Sequence, residues 1–268
     1  MARHENPDLD PDKVPLTWIG LTTLQLRLLV AIADGSPDEL LQAWHARRPS
    51  GTEAPDPVSD ISAAVARGAA EEALLSLQAL GMAQPSESGP VITPEFTGAL
   101  DVFVRPAASF DVYEGPVGTR PASATVRFGE WGASSVSESA PGVLTFTCGS
   151  DPERVVNAVL LPVFAAVLSS VPRSESGEAS PDASLEIPPA KVVEALGPGG
   201  SRSLIRCVAT VDTEAPKELL WFRGSAAQFL YSPEPEGAAS EAGAVSASDE
   251  EVLHALRELA QQCAVVTG

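Results

Sequence analysis

The sequence predicts an α+β fold, a pseudo-symmetric sheet with helices at its ends. Three observations carry that expectation. Apolar residues recur with helical spacing in some segments and alternate in others, so helices and strands both occur along the chain. Two stretches, 92–168 and 187–263, follow one order: a short helix, three strand-like runs and a closing helix. The composition, 44% hydrophobic and 20% charged over 268 residues, is enough to bury a sizeable core.

The elements follow in order. Residues 1–13 are polar, rich in Pro and Asp, and read as a disordered tail; 14–268 read as one domain. Residues 14–19 alternate and suit a first strand, and 21–33 carry Leu24, Leu28, Leu29 and Ile32 at helical spacing. Ser36, Pro37 and Glu39 have the pattern of a capped helix start. Residues 49–57 read as a loop. An Ala-rich helix from Ser59 to about Leu80 follows, with Leu74, Leu77 and Leu80 near one face and Gly81 as its stop.

The first copy of the repeat opens at Ile92-Thr93-Pro94 with a short helix to Leu100. Strand-like runs follow at 109–113, 124–136 and 143–148, then a helix beginning at Asp151, with Val155, Val156, Val159 and Leu160 apolar. The second copy opens at Ile187-Pro188-Pro189 with a short helix to Leu196. Its strand-like runs lie at 204–211, 218–222 and 228–231. Its last helix starts at a capping box, Ser248 to Glu251, and carries Val252, Leu253, Leu256, Leu259 and Cys263 as one apolar stripe. Residues 172–184 read as a linker and 233–247 as a second low-complexity loop.

Seventeen Lys and Arg against 36 Asp and Glu give a formal charge of −19. So acidic a chain repels phosphate backbones and anionic membrane surfaces, which excludes nucleic acid and lipid headgroups as expected partners. Cys148, Cys207 and Cys263 are odd in number and widely spaced, which fits free thiols in a reducing compartment. The N-terminus has no apolar run of the secretory kind, so the expected location is the cytoplasm. The longest uncharged stretch, 155–172, contains Asn157, Pro162, Ser169 and Ser170 and reads as a buried helix rather than a membrane span.

The residues offer no pattern of catalytic chemistry. His4, His45 and His254 are unconnected by any motif, and no His-x-x-x-His or Cys-x-x-Cys spacing occurs. The glycine-rich run 197–201 follows a helix and lacks the lysine of a phosphate-binding loop. The acid clusters at 38–39, 71–72 and 249–251 lie in or near helices, and two of them have an evident capping or dipole role at a helix start. The chain is therefore expected to be no enzyme and to carry no cofactor or metal. What remains is a set of aromatics in strand runs. Phe128, Trp131, Trp221 and Phe229 are the candidate exposed anchors for a protein partner, on the premise that helices cover one face of the sheet.

Several local phrases, in this order, resemble the EspG family, the secretion-associated proteins of actinobacterial type VII (ESX) systems. The likeness begins with Leu16-Thr17-Trp18 and the Leu24 to Ala33 segment. It continues through Gly89-Pro90-Val91, Ala99 to Val102, Arg105-Pro106 and Ala124 to Gly129. It ends with Trp221 to Ser225, Phe229-Leu230-Tyr231 and the closing Glu250 to Gln262 helix. It is a likeness of layout spanning nearly the whole chain. It implies a central, mainly antiparallel sheet flanked by two helical subdomains with quasi-twofold symmetry. It also implies a cytosolic chaperone that binds helical PE/PPE-like secretion substrates and keeps them soluble. Two other expectations stand beside it: a regulatory or scaffold protein with another protein partner, and an enzyme using an unrecognised pair of carboxylates.

Overall fold

A computed structural model describes residues 16–35, 57–114, 122–140, 143–170, 186–187, 203–211, 215–224, 227–233 and 243–265. The expected tail, the helix starting at Ser36, the loop at 49–56, the linker and residues 188–196 of the second short helix lie outside them.

The fold is α+β, with a ten-stranded sheet in which every neighbouring pair is antiparallel. In chain order the elements are β1 (Thr17–Thr22), α1 (Thr23–Ala33), α2 (Pro57–Ala79), β2 (Ala83–Ser86), β3 (Gly89–Ile92), α3 (Pro94–Val104), β4 (Ala108–Glu114), β5 (Ala124–Gly129), β6 (Gly132–Ala140), β7 (Val143–Gly149) and α4 (Pro152–Ser170). Then come β8 (Glu186–Ile187), β9 (Ser203–Val211), β10 (Lys217–Arg223), β11 (Gln228–Tyr231), β12 (Ala244–Ser246) and α5 (Asp249–Val265). The order across the sheet is β1-β7-β6-β5-β4-β9-β10-β11-β12-β8, with β2 and β3 forming a separate hairpin. The β4–β9 pair, running from Ala108↔Val211 to Glu114↔Ile205, joins the two halves.

Several elements match their sequence signals closely. At the start of α1, Thr22 and Gln25 make a reciprocal capping box, and Leu28, Leu29 and Ile32 are buried. The expected capping box of α5 is formed: Ser248 N–H donates to Glu251, and Glu251 N–H donates back to the Ser248 hydroxyl. Val252, Leu256, Leu259 and Cys263 of its stripe are buried, while Leu253 is half-buried.

Other elements correct the expectation. The run 124–136 is two strands: the chain turns back at Glu130-Trp131, and Gly132 follows at φ +139°. Only glycine adopts that backbone without strain, and a Cβ there would stand 2.4 Å from the Gly149 carbonyl. Within the expected loop at 233–247, Ala244–Ser246 forms β12. Ile187, expected to open a helix, pairs instead with Ala244 in β8. Leu80, expected on the apolar face of α2, lies beyond the helix end and is 45% exposed, whereas Leu77 is fully buried.

Helices lie on both sides of the sheet. On one side α4 and α5 pack over a continuous cluster that includes Phe110, Val126, Phe128, Val155, Val159, Cys207, Trp221, Leu256 and Cys263. On the other, α1 and α3 cover the β1–β7–β6 end over Leu21, Leu29, Leu77, Leu100 and Phe146. Burial of such side chains contributes about 1.5–3 kcal/mol each.

Candidate functional site

Three of the four candidate anchors are buried, two of them beneath the α4/α5 layer. Phe128 and Phe229 are 0% and 1% exposed and Trp221 is 1% exposed, so these three are core residues and the expectation that they project from the sheet is corrected. Phe128 joins the α4/α5 cluster. The Trp221 ring stacks on Phe164 of α4, centroids 5.2 Å apart, and its indole N–H donates to Gln228 at 3.2 Å. Phe229 packs with Phe222, Ala227, Tyr231 and Ala244 on the opposite side.

Trp131 is different. It sits at the β5–β6 turn and is 39% exposed. Its ring lies against α3, where Gly98 makes the room: a Cβ on Gly98 would meet the indole Cδ1 at 2.3 Å. The indole is thus in close contact with α3 and partly open to solvent.

Among the described residues the most exposed aromatic is Trp18 of β1, at 55%, which was not among the candidate anchors. Among the described residues β1 is an outer strand, paired with β7 alone, and it carries no charge. Burial alternates along it: Leu21 turns to the α1/α3 side and Trp18 to the other, opposite Thr147. Val143, opposite Thr22 and 45% exposed, shares Trp18's side of the sheet.

The same side carries α4, which leaves the sheet at Gly149 and packs back across β7, β6 and β5. One face of α4 buries Val155, Val156, Val159, Leu160 and Val167. The opposite face shows Leu161 (45% exposed), Pro162, Ala165 and Ala166, which share a surface by i, i+4 spacing. No charge occurs from Val155 to Ser170. The helix is long and apolar enough to cross a membrane, with mean hydropathy 1.4, yet its inner face is packed on the sheet. Trp18, Val143 and the outer face of α4 are thus exposed apolar groups on one side of the sheet, on a protein of formal charge −19.

Several polar groups elsewhere are engaged structurally. Asp111 accepts from the Thr125 hydroxyl at 2.6 Å, with Arg127 4.0 Å away. Glu218 pairs with Arg206, whose guanidinium lies 5.3 Å from the Tyr113 ring centroid. Arg223, Gln228 and Asp249 form a network beside Trp221. Burial pushes the Cys148 and Cys263 thiols up to about 11, and pushes Cys207 higher still. Among the described residues no three His, Cys, Asp or Glu side chains gather closely enough to hold a metal ion.

No family model matches the chain, and no curated protein matches it.

Proposed function

We propose that the protein is a cytosolic, secretion-associated chaperone of the EspG type. It binds helical PE/PPE-like substrates of a type VII (ESX) system, keeps them soluble and performs no catalysis. The observation that carries this reading is the exposure of Trp18, Val143 and the outer face of α4 on one side of the sheet. A helical cargo with an exposed apolar end needs an uncharged, rigid surface to cover it, and helix-on-groove packing supplies one. The acidity of the remaining surface keeps such a complex in solution. The buried, free state of all three cysteines agrees with a reducing compartment.

The proposal includes quasi-twofold symmetry, with a helical subdomain on each half. Its support is the strand order. Outward from the central pair, β4, β5, β6 and β7 end on β1, the strand that precedes them in the chain. On the other side β9, β10, β11 and β12 end on β8, which precedes them likewise. A long helix follows each run, and both helices pack into one cluster on the same face.

The test is co-expression with each small helical-hairpin protein encoded beside this one. A stoichiometric complex on a sizing column, with cargo insoluble on its own, supports the chaperone. Cargo that stays soluble and unbound refutes it and turns attention to a regulatory or scaffold role.

A further inference from the structure

A cavity of about 310 Å³ opens between the first turns of α4 and the last turns of α5. That volume is at the lower end of the ~300–1,000 Å³ range of small-ligand sites. Val156, Ala264 and Pro152 give it an apolar wall, and Asn157 and Arg257 stand in its lining. Arg257 Nε donates to the Asn157 side-chain oxygen at 2.8 Å. That bond fixes the plane of the guanidinium and leaves its two terminal nitrogens for something else.

Those nitrogens meet no carboxylate among the described residues, although the chain has 36 acids to 17 bases. By contrast, Arg105, Arg127, Arg206 and Arg223 each have an acid within 4.0 Å. A guanidinium held by a neutral amide beside an apolar wall is preorganised for a planar, two-oxygen anion. Asp151 and Glu153 also line the cavity. Asp151 Oδ1 is occupied by the N–H groups of Glu153 and Arg154, at 3.0 and 3.3 Å. The two acids oppose any anion that Arg257 attracts, and a dianionic phosphate ester more than a single carboxylate.

We propose that this cavity binds a monocarboxylate with a short aliphatic body. The carboxylate forks onto Arg257, and the chain lies against Val156 and Ala264. The ligand is either a free short-chain carboxylate or the C-terminal carboxylate of a peptide ending in an aliphatic residue. The inference stands apart from the chaperone reading, because the cavity lies between α4 and α5 and uses neither Trp18 nor the outer face of α4.

The experiment is titration of the full chain, followed by calorimetry and amide chemical shifts. The probes are hexanoate, hexanamide, inorganic phosphate, and an acetylated tripeptide ending in leucine as free acid and as amide. Saturable binding of hexanoate or the free-acid peptide is expected, each at least about tenfold tighter than its amide, with phosphate not competing. Arg257→Gln removes that preference, and Arg257→Lys, which keeps the charge without the fork, leaves part of it. A peptide acid tighter than hexanoate assigns the site to a protein C-terminus, and the reverse assigns it to a free carboxylate. Equal binding of acids and amides, competition by phosphate, an Arg257→Gln protein that binds like the parent, or no saturation by either acid overturns the proposal.

Discussion

Arg223 of β10 and Asp249, the first residue of α5, are joined by a 2.8 Å hydrogen-bonded ion pair in which the arginine side chain is 4% exposed and the aspartate 41%. Gln228 completes the arrangement: its oxygen accepts from Arg223 at 2.6 Å and its amide donates to Asp249 at 2.8 Å. The N-terminus of the last helix is thereby fastened to the β10–β11 hairpin. Asp249→Ala leaves a buried guanidinium without its acid. The expected cost is about 2 kcal/mol, below the value for a fully buried pair because the aspartate meets solvent. Chemical denaturation is the measurement, with Glu250→Ala, an exposed neighbour, as the control that changes little.

Gly98→Ala is expected to cost about 1–3 kcal/mol by overpacking and to swing the Trp131 indole towards water. With the other three tryptophans replaced by phenylalanine, emission from Trp131 shifts to the red. An unshifted spectrum at parental stability would show that the indole has another resting place.

The three thiols are buried and held in the neutral form, Cys148 and Cys263 up to about 11. Since the thiolate is the reacting species, a disulfide reagent at neutral pH should label none of them in the native protein and all three in denaturant. Fast labelling of native protein would contradict their placement.

The capping hydrogen bonds from Ser248 hold the exposed Glu251 carboxyl below its ordinary value of 4.5. A depressed folded-state value means that the carboxylate stabilises the helix at neutral pH and that this contribution fades as pH falls below 4.5 through the folded-state value. Glu251→Gln should therefore lower stability at pH 7 and narrow the difference from the parent as the medium is acidified. The check is a pair of denaturation series at several pH values.

Much of the sheet could be read from the residues because short runs of aliphatic and aromatic residues at 204–211, 218–222 and 228–231 mark strands whichever neighbours they acquire. The hairpin turn at Glu130-Trp131 was harder, since only Gly129 and Gly132 interrupt an otherwise strand-like run. β12 has three residues inside a Ser/Ala/Glu stretch and exists because Phe229 and Leu230 offer it an edge. The site was least legible. Phe128 and Trp18 both sit in alternating strands, and what separates them is that one strand is central beneath two helices while the other is outermost. Strand order is a property of non-local pairing, which periodicity does not encode. The uncharged segment from Val155 to Ser170 reads as a buried helix, and the exposed face at Leu161 appears only once α4 lies on the sheet.

The central claim is that the side of the sheet carrying Trp18 and the outer face of α4 holds a helical cargo. The most direct measurement is cargo affinity, by calorimetry on the co-expressed partner, of Trp18→Ala and Leu161→Glu beside Phe128→Ala. The first two should fold with parental stability and each lose about 2 kcal/mol of binding, roughly thirtyfold. Phe128→Ala, a core truncation, should lose about 3–5 kcal/mol of stability while its folded fraction binds normally. Full affinity in both Trp18→Ala and Leu161→Glu would contradict the claim.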